Sequence, residues 1–226
     1  VKKVSIRGPI VSSNEQRIYE WFGIEATSPK SVMNVINSAE GDDLEVEINS
    51  GGGSVFAGSE IYTALKSYTG NVTVKIMGIA ASAASVIAMA GKKIIMSPTS
   101  QMMVHNVSTI ASGDHRDMNH MSDVLKGANE TIANAYRIKS GKTQEELLEL
   151  MDNETWLTPA KAVEMGLADE IMFEELNLVA DIGGMLPQAV IEKVKNLITE
   201  DKALENRAFF DAKIKLLKLK GDQRDE

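Results

Sequence analysis

The chain has 226 residues, with hydrophobic residues at 43% and charged residues at 25%, proportions that exclude disordered and fibrous classes and suit one good-sized domain with an extension, or two small domains. Its 24 Lys+Arg against 32 Asp+Glu give a formal net charge of −8 and a pI near 5.1, which argues against a nucleic-acid binder. Without cysteine there is no disulfide framework, zinc ribbon or thiol nucleophile; no apolar run reaches a membrane span and no basic-then-apolar leader opens the sequence, so no membrane partner and a cytoplasmic location are expected.

Residues 1–10 alternate apolar and polar side chains up to Gly8-Pro9, predicting a short strand and a turn. Ser28-Pro29 then places a capping residue ahead of Pro at the first helical position, and Val32, Met33, Val35, Ile36 and Ala39 continue at helical spacing to about Gly41. Leu44, Val46 and Ile48 alternate with glutamates, giving a strand that runs into the turn Asn49–Ser54. Ile61, Ala64, Leu65 and Tyr68 mark a helix face, and Val72, Val74 and Ile76 a third strand entering Gly78–Ser85. Small and apolar residues through Ala90 fit a buried helix, followed by the strand Lys93–Met96. Strands alternating with helices around a largely parallel sheet define an α/β chain.

Past Met102-Met103-Val104-His105, a polar loop leads to a long helix from about Asp114 to Lys139, along which Met118, Met121, Leu125, Ala128, Ile132 and Ala135 repeat every three to four residues. Thr143 and Glu146 have capping-box spacing, and Thr158-Pro159 opens a helix that Gly166 closes. From Pro187 the balance shifts to nine Lys+Arg and eight Asp+Glu, against fifteen and twenty-four before it. There Val190, Val194 and Leu197, then Phe210, Ile214 and Leu217, predict two amphipathic helical pieces.

Two strand-to-turn junctions are candidate sites. A Gly-rich turn such as Asn49–Ser54 lets backbone approach a ligand and leaves N–H groups for an anion, but it lacks the Lys-Ser/Thr of a P-loop and the spacing of a dinucleotide fold. At Gly78–Ser85, a serine on a strand-helix corner would expose its hydroxyl where free N–H groups favour an oxyanion; Ser82 and Ser85 both qualify, as nucleophile or as plain cap. A base is needed, and of three histidines His115 and His120 fall in a polar helical segment, while His105 sits at a strand end where α/β sites gather. Asp152 and Glu154, ahead of the Thr158-capped helix, are candidates to orient the imidazole.

Together these residues resemble the ClpP family of serine peptidases, the proteolytic subunit of the Clp protease, over roughly Val4 to Met172. Ile48–Val55 is similar to the family's I-N-S-P-G-G-S-V oxyanion turn, Gly78-Ile79-Ala80-Ala81-Ser82-Ala83 to its G-M-A-A-S-M nucleophile motif, and Met103-Val104-His105-Asn106 to its M-I-H-Q segment. Trp156–Asp169 resembles the stretch after the catalytic aspartate. The resemblance makes Ser82 the nucleophile and Ser85 a bystander, His105 the general base, and Glu154, where the family has Asp, the acid, with Asp152 as the alternative. It assigns the oxyanion to the N–H groups of Gly53 and Ala83, and peptide binding by strand addition to Gly51, Gly52, Ser54 and Val55; Gly51 stands where the family has Pro.

Outside the matched region, amphipathic spacing predicts a helical extension at 176–226; within it, the resemblance further implies a ClpP/crotonase-like spiral of β-α units, a handle made by the long helix and a peptidase domain at 1–175. It implies peptide or protein substrates, no metal or organic cofactor, a homo-oligomeric ring of seven or a pair of stacked rings, and an AAA+ unfoldase partner. The Trp21–Ile24 insertion, Glu154-Thr155-Trp156 and the added tail resemble the phage and prophage branch associated with prohead maturation, which would make capsid or scaffold proteins the substrates and the tail either a self-packed helical pair or an assembly arm. Two rivals are a catalytically idle assembly scaffold and a crotonase-type acyl-CoA enzyme, the latter leaving Ser82 and His105 unexplained.

Overall fold

Alternation of apolar and polar side chains sets Lys2–Arg7 (β1), Leu44–Ser50 (β2) and Val72–Ala81 (β3) side by side in parallel, burying Val4, Ile6, Val46, Ile48, Val74 and Ile76 in one core. On the polar face the outward positions pair across strands, Lys75 with Glu45 at 2.6 Å and Lys3 with Glu47 at 2.9 Å. Lys93–Met96 (β4) and Glu170–Ile171 (β7) extend the order to β1-β2-β3-β4-β7. Gln101–Val104 (β5) pairs in parallel with the far end of β3, and Thr155–Leu157 (β6) closes antiparallel on β5. The computed structural model describes residues 1–174, and the chain divides into the units Val1–Phe173 and Glu174–Glu226. The helical pieces expected around Val190–Leu197 and Phe210–Leu217 lie outside the described residues.

Side-chain caps open helices at Ser28, Thr143 and Thr158, as the sequence predicts, and at Ser54 in addition. Ser28 caps Pro29–Ser38 (α2), Ser54 caps Val55–Lys66 (α3), Thr143 caps Gln144–Asp152 (α6) and Thr158 caps Pro159–Glu164 (α7). The long helix His115–Ser140 (α5) starts at an Asp114–Asp117 capping box and stops at Gly141, which takes the left-handed φ of 73°. Its Ile132, Ala133, Ala135 and Tyr136 are buried, whereas Met118 is exposed and Met121 and Leu125 are half-buried, so the expected apolar face is covered only at its C-terminal end.

The structure differs from the sequence reading in three places. β3 continues through Gly78 to Ala81, because Ile79, Ala80 and Ala81 pair with Gln101, Met102 and Met103 of β5, while Asn49 Oδ1 accepts the Ile79 N–H where the β2–β3 register shifts. Gln16–Trp21 (α1) was not anticipated: it has no buried residue, so no core-facing stripe announces it. Strands of three and two residues, β6 and β7, are too short to show alternation. Among the described residues no helix is long and apolar enough to cross a membrane, and no cluster of three or more His, Asp or Glu could hold a metal.

Candidate active site

The site forms where β3 ends. Ser82 is the single residue between β3 and Ala83–Ala88 (α4), a helix whose six residues are all buried. Its backbone stands at φ 57°, ψ −126°, a region that costs a non-glycine residue about 1–3 kcal/mol and that recurs where a side chain must project from a sharp corner. The Ser82 N–H donates to the Met103 carbonyl at 3.0 Å, continuing the β3–β5 pairing. That register carries His105 to the same corner, and His105 Nε2 lies 2.7 Å from Ser82 Oγ, both residues half-buried. A serine donating to Nε2 requires the tautomer with its proton on Nδ1. His115 and His120 lie exposed on α5, and neither lines the cavity beside Ser82.

Neither candidate carboxylate is hydrogen-bonded to His105. Asp152 Oδ1 accepts from Asn106 Nδ2 at 2.6 Å, and Glu154 Oε1 accepts from Trp156 Nε1 at 3.4 Å. The strand register nevertheless separates them. The antiparallel β5–β6 ladder ends at the pair Val104–Thr155, and His105 and Glu154 are the residues that adjoin that pair on their two segments. Glu154 takes a left-handed φ of 43°, closing α6 into β6 with its N–H on the Met151 carbonyl at 3.1 Å. Asn106, absent from the sequence-level candidates, is thus the group that occupies Asp152.

The Gly turn is built against the same corner. A Cβ on Gly52 would stand 2.7 Å from both the Ala81 oxygen and Ser82 Cβ, and one on Gly53 would stand 2.2 Å from the Ile10 oxygen; their φ values are 95° and 148°. Gly51 has open space around it. Ile10 donates to the Gly52 carbonyl at 2.9 Å and accepts from Ser54 N–H at 2.8 Å, while Val55 already opens α3. The peptide-pairing edge expected over Gly51–Val55 is therefore narrower: Gly52 and Ser54 are occupied by Ile10, and the Ser54 hydroxyl caps α3. Ala83, at the first position of α4, has no partner for its N–H inside the helix. A cavity of about 410 Å³ opens beside Ser82, lined by His105, Gly53, Ala83, Val86, Ile132 and Tyr136 among others.

These packing distances predict a sharp contrast. Gly53→Ala, at positive φ and against fixed backbone, is expected to cost about 3 kcal/mol or more and to lower peptide hydrolysis by roughly 10²-fold. Gly51→Ala is expected to stay within about 1 kcal/mol of the parent, with activity retained. Urea melts and peptide hydrolysis on the two variants check both statements.

A protein-family model described as Clp protease matches residues 24–175. The chain is 32% identical over 138 residues to ATP-dependent Clp protease proteolytic subunit 1 of Chlamydia abortus, covering 59% of this chain and 71% of that protein. With subunit 1 of Chlamydia caviae it is 31% identical over 164 residues, covering 67% of this chain and 85% of that one. With the ATP-dependent Clp protease proteolytic subunit of Bacteroides fragilis it is 31% identical over 137 residues, covering 60% and 66%. Among solved structures, a mutant ClpP1 from Listeria monocytogenes matches with a TM-score of 0.61 at 24% identity, covering 76% of this chain and 91% of that one, a likeness of fold.

Proposed function

The chain belongs to the Clp protease family, and from that premise we propose that it is a serine endopeptidase whose nucleophile is Ser82 and whose general base is His105. The observation that carries this reading is the 2.7 Å approach of His105 Nε2 to Ser82 Oγ. Ser82 Oγ attacks the peptide carbonyl carbon as His105 takes its proton; the C–N bond then breaks, with the proton passed to the leaving amine. Water, deprotonated by the same imidazole, releases the acyl group. The N–H groups of Gly53 and Ala83 hold the oxyanion, a contribution of roughly 3 kcal/mol per donor. Glu154 is the acid we assign to His105 Nδ1, on the strength of the motif resemblance and of its place beside the last β5–β6 pair.

The relatives' names speak of an ATP-dependent enzyme and of a subunit, which supports a ring of copies served by an AAA+ ATPase. The exposed Met118 beside half-buried Met121 and Leu125 is a face suited to copies meeting along α5. For the substrate we infer phage capsid or scaffold proteins, on the resemblance of Trp21–Ile24, Glu154-Thr155-Trp156 and the tail to the prohead-maturation branch. The peptidase domain is assigned to 1–175 and an assembly-arm role to 176–226. A catalytically idle scaffold is the second reading, favoured by one observation: among the described residues no carboxylate is bonded to His105. A fluorophosphonate probe discriminates. Mass-mapped labelling at Ser82 is expected, and labelling elsewhere or nowhere overturns the peptidase reading.

A further inference from the structure

Behind the nucleophile lies a polar chain that the hydrolysis scheme leaves unused. Ser85 is 0% exposed and Tyr136 1% exposed, and Ser85 Oγ stands 2.8 Å from the Tyr136 hydroxyl. Ser85 Oγ also lies 2.7 Å from the Ser82 carbonyl oxygen, which only accepts. The Ser85 proton is therefore committed to that carbonyl, and Tyr136 must donate to Ser85 Oγ. Burial pushes the Tyr136 hydroxyl far above the usual phenol range, so it stays a neutral donor. The chain runs one way, from Tyr136 on α5, through Ser85 on α4, to the carbonyl of Ser82.

Two buried hydroxyls are a costly way to fill a core, since each loses its water, and an Ala–Phe pair would fill much of the same space. Their effect lies in what the last bond holds. The Ser82 carbonyl and the Ala83 N–H lie in one rigid peptide plane and point in opposite directions within it. Whatever fixes the carbonyl fixes the direction of the N–H. The plane needs holding, because Ser82 stands in a sparsely populated backbone region at the start of a helix only six residues long; the backbone N–H groups of Ser85 and Val86 reach the same carbonyl at 3.0 and 3.3 Å, and the Ser85 hydroxyl adds a third and shorter bond at 2.7 Å.

We propose that Tyr136 and Ser85 are positioning residues, whose hydroxyl chain locks the Ser82–Ala83 peptide plane and so aims the Ala83 N–H at the oxyanion and Ser82 Oγ at His105. The inference rests on the Ser82 nucleophile reading and deepens it. It replaces the bystander role that the motif resemblance assigns to Ser85.

The test compares the parent full-length protein with Tyr136→Phe, Ser85→Ala and the double variant, reading kcat and KM on a short fluorogenic peptide and the fluorophosphonate labelling rate at Ser82. Tyr136→Phe deletes one oxygen and keeps the ring. It is expected to lower kcat and the labelling rate about tenfold with KM unchanged, below the roughly 10²–10³-fold lost with a whole oxyanion donor. Ser85→Ala is expected to do at least as much, and the double variant no more than Ser85→Ala, since one chain is broken once. A shifted melting temperature with kcat unchanged, or single effects that multiply in the double variant, overturns the inference. If Ser85→Ala does not fold, Tyr136→Phe alone decides. A parent that is not labelled at Ser82 overturns the peptidase reading and this inference with it; a labelled parent with an unaltered Tyr136→Phe overturns the inference alone.

Discussion

Ser82→Ala is expected to lower kcat for peptide hydrolysis by about four to six orders of magnitude while leaving the fold in place. The Ser82 side chain makes one hydrogen bond, to His105 Nε2, whereas its backbone N–H and carbonyl carry the contacts that hold the corner. Alanine keeps the backbone groups and meets the same penalty at φ 57°, so stability is expected to change by less than about 1 kcal/mol. Activity and chemical denaturation measured on one preparation separate the two effects. Hydrolysis within tenfold of the parent would remove Ser82 from the chemistry.

Glu154→Ala is expected to lower kcat by roughly 10³–10⁴-fold, and Asp152→Ala by less than about tenfold. The imidazolium formed when His105 accepts the serine proton needs a negative partner at Nδ1, and that carboxylate also holds the tautomer that keeps Nε2 free to accept. Glu154 adjoins the last pair of the β5–β6 ladder, as His105 does on the other segment, and its side chain has three rotatable bonds and only a 3.4 Å bond to Trp156 to give up. Asp152 is held by Asn106 at 2.6 Å. The reverse ranking would move the acid to Asp152, and two small effects would leave a Ser-His dyad.

Much of the frame is readable from residues alone because its signals are local. Ser28, Thr143 and Thr158 cap the helices they were expected to cap, and the alternation in β1, β2 and β3 separates core from solvent. Ser82 and His105 stood out through motif resemblance, each being a weak signal by itself. What stayed hidden depends on pairing between distant segments. β6 is visible only through its partner β5, and that ladder is what brings the segment ahead of Thr155, with Glu154 at its end, beside the end of β5. Ser85 reads as one more small residue in Ala83–Ala88 until Tyr136, 51 positions away, is found against it. The Asn106–Asp152 bond is of the same kind.

The β5–β6 ladder also has a consequence for how such chains can drift in length. The imidazole and the glutamate are carried on adjoining ends of two bonded strands, and everything between them in the chain is loop, α5 and α6. Lineages are free to lengthen or trim that excursion without moving either group. A single residue gained or lost inside Thr155–Leu157 would instead put the strand out of phase, and every side chain on it would change faces.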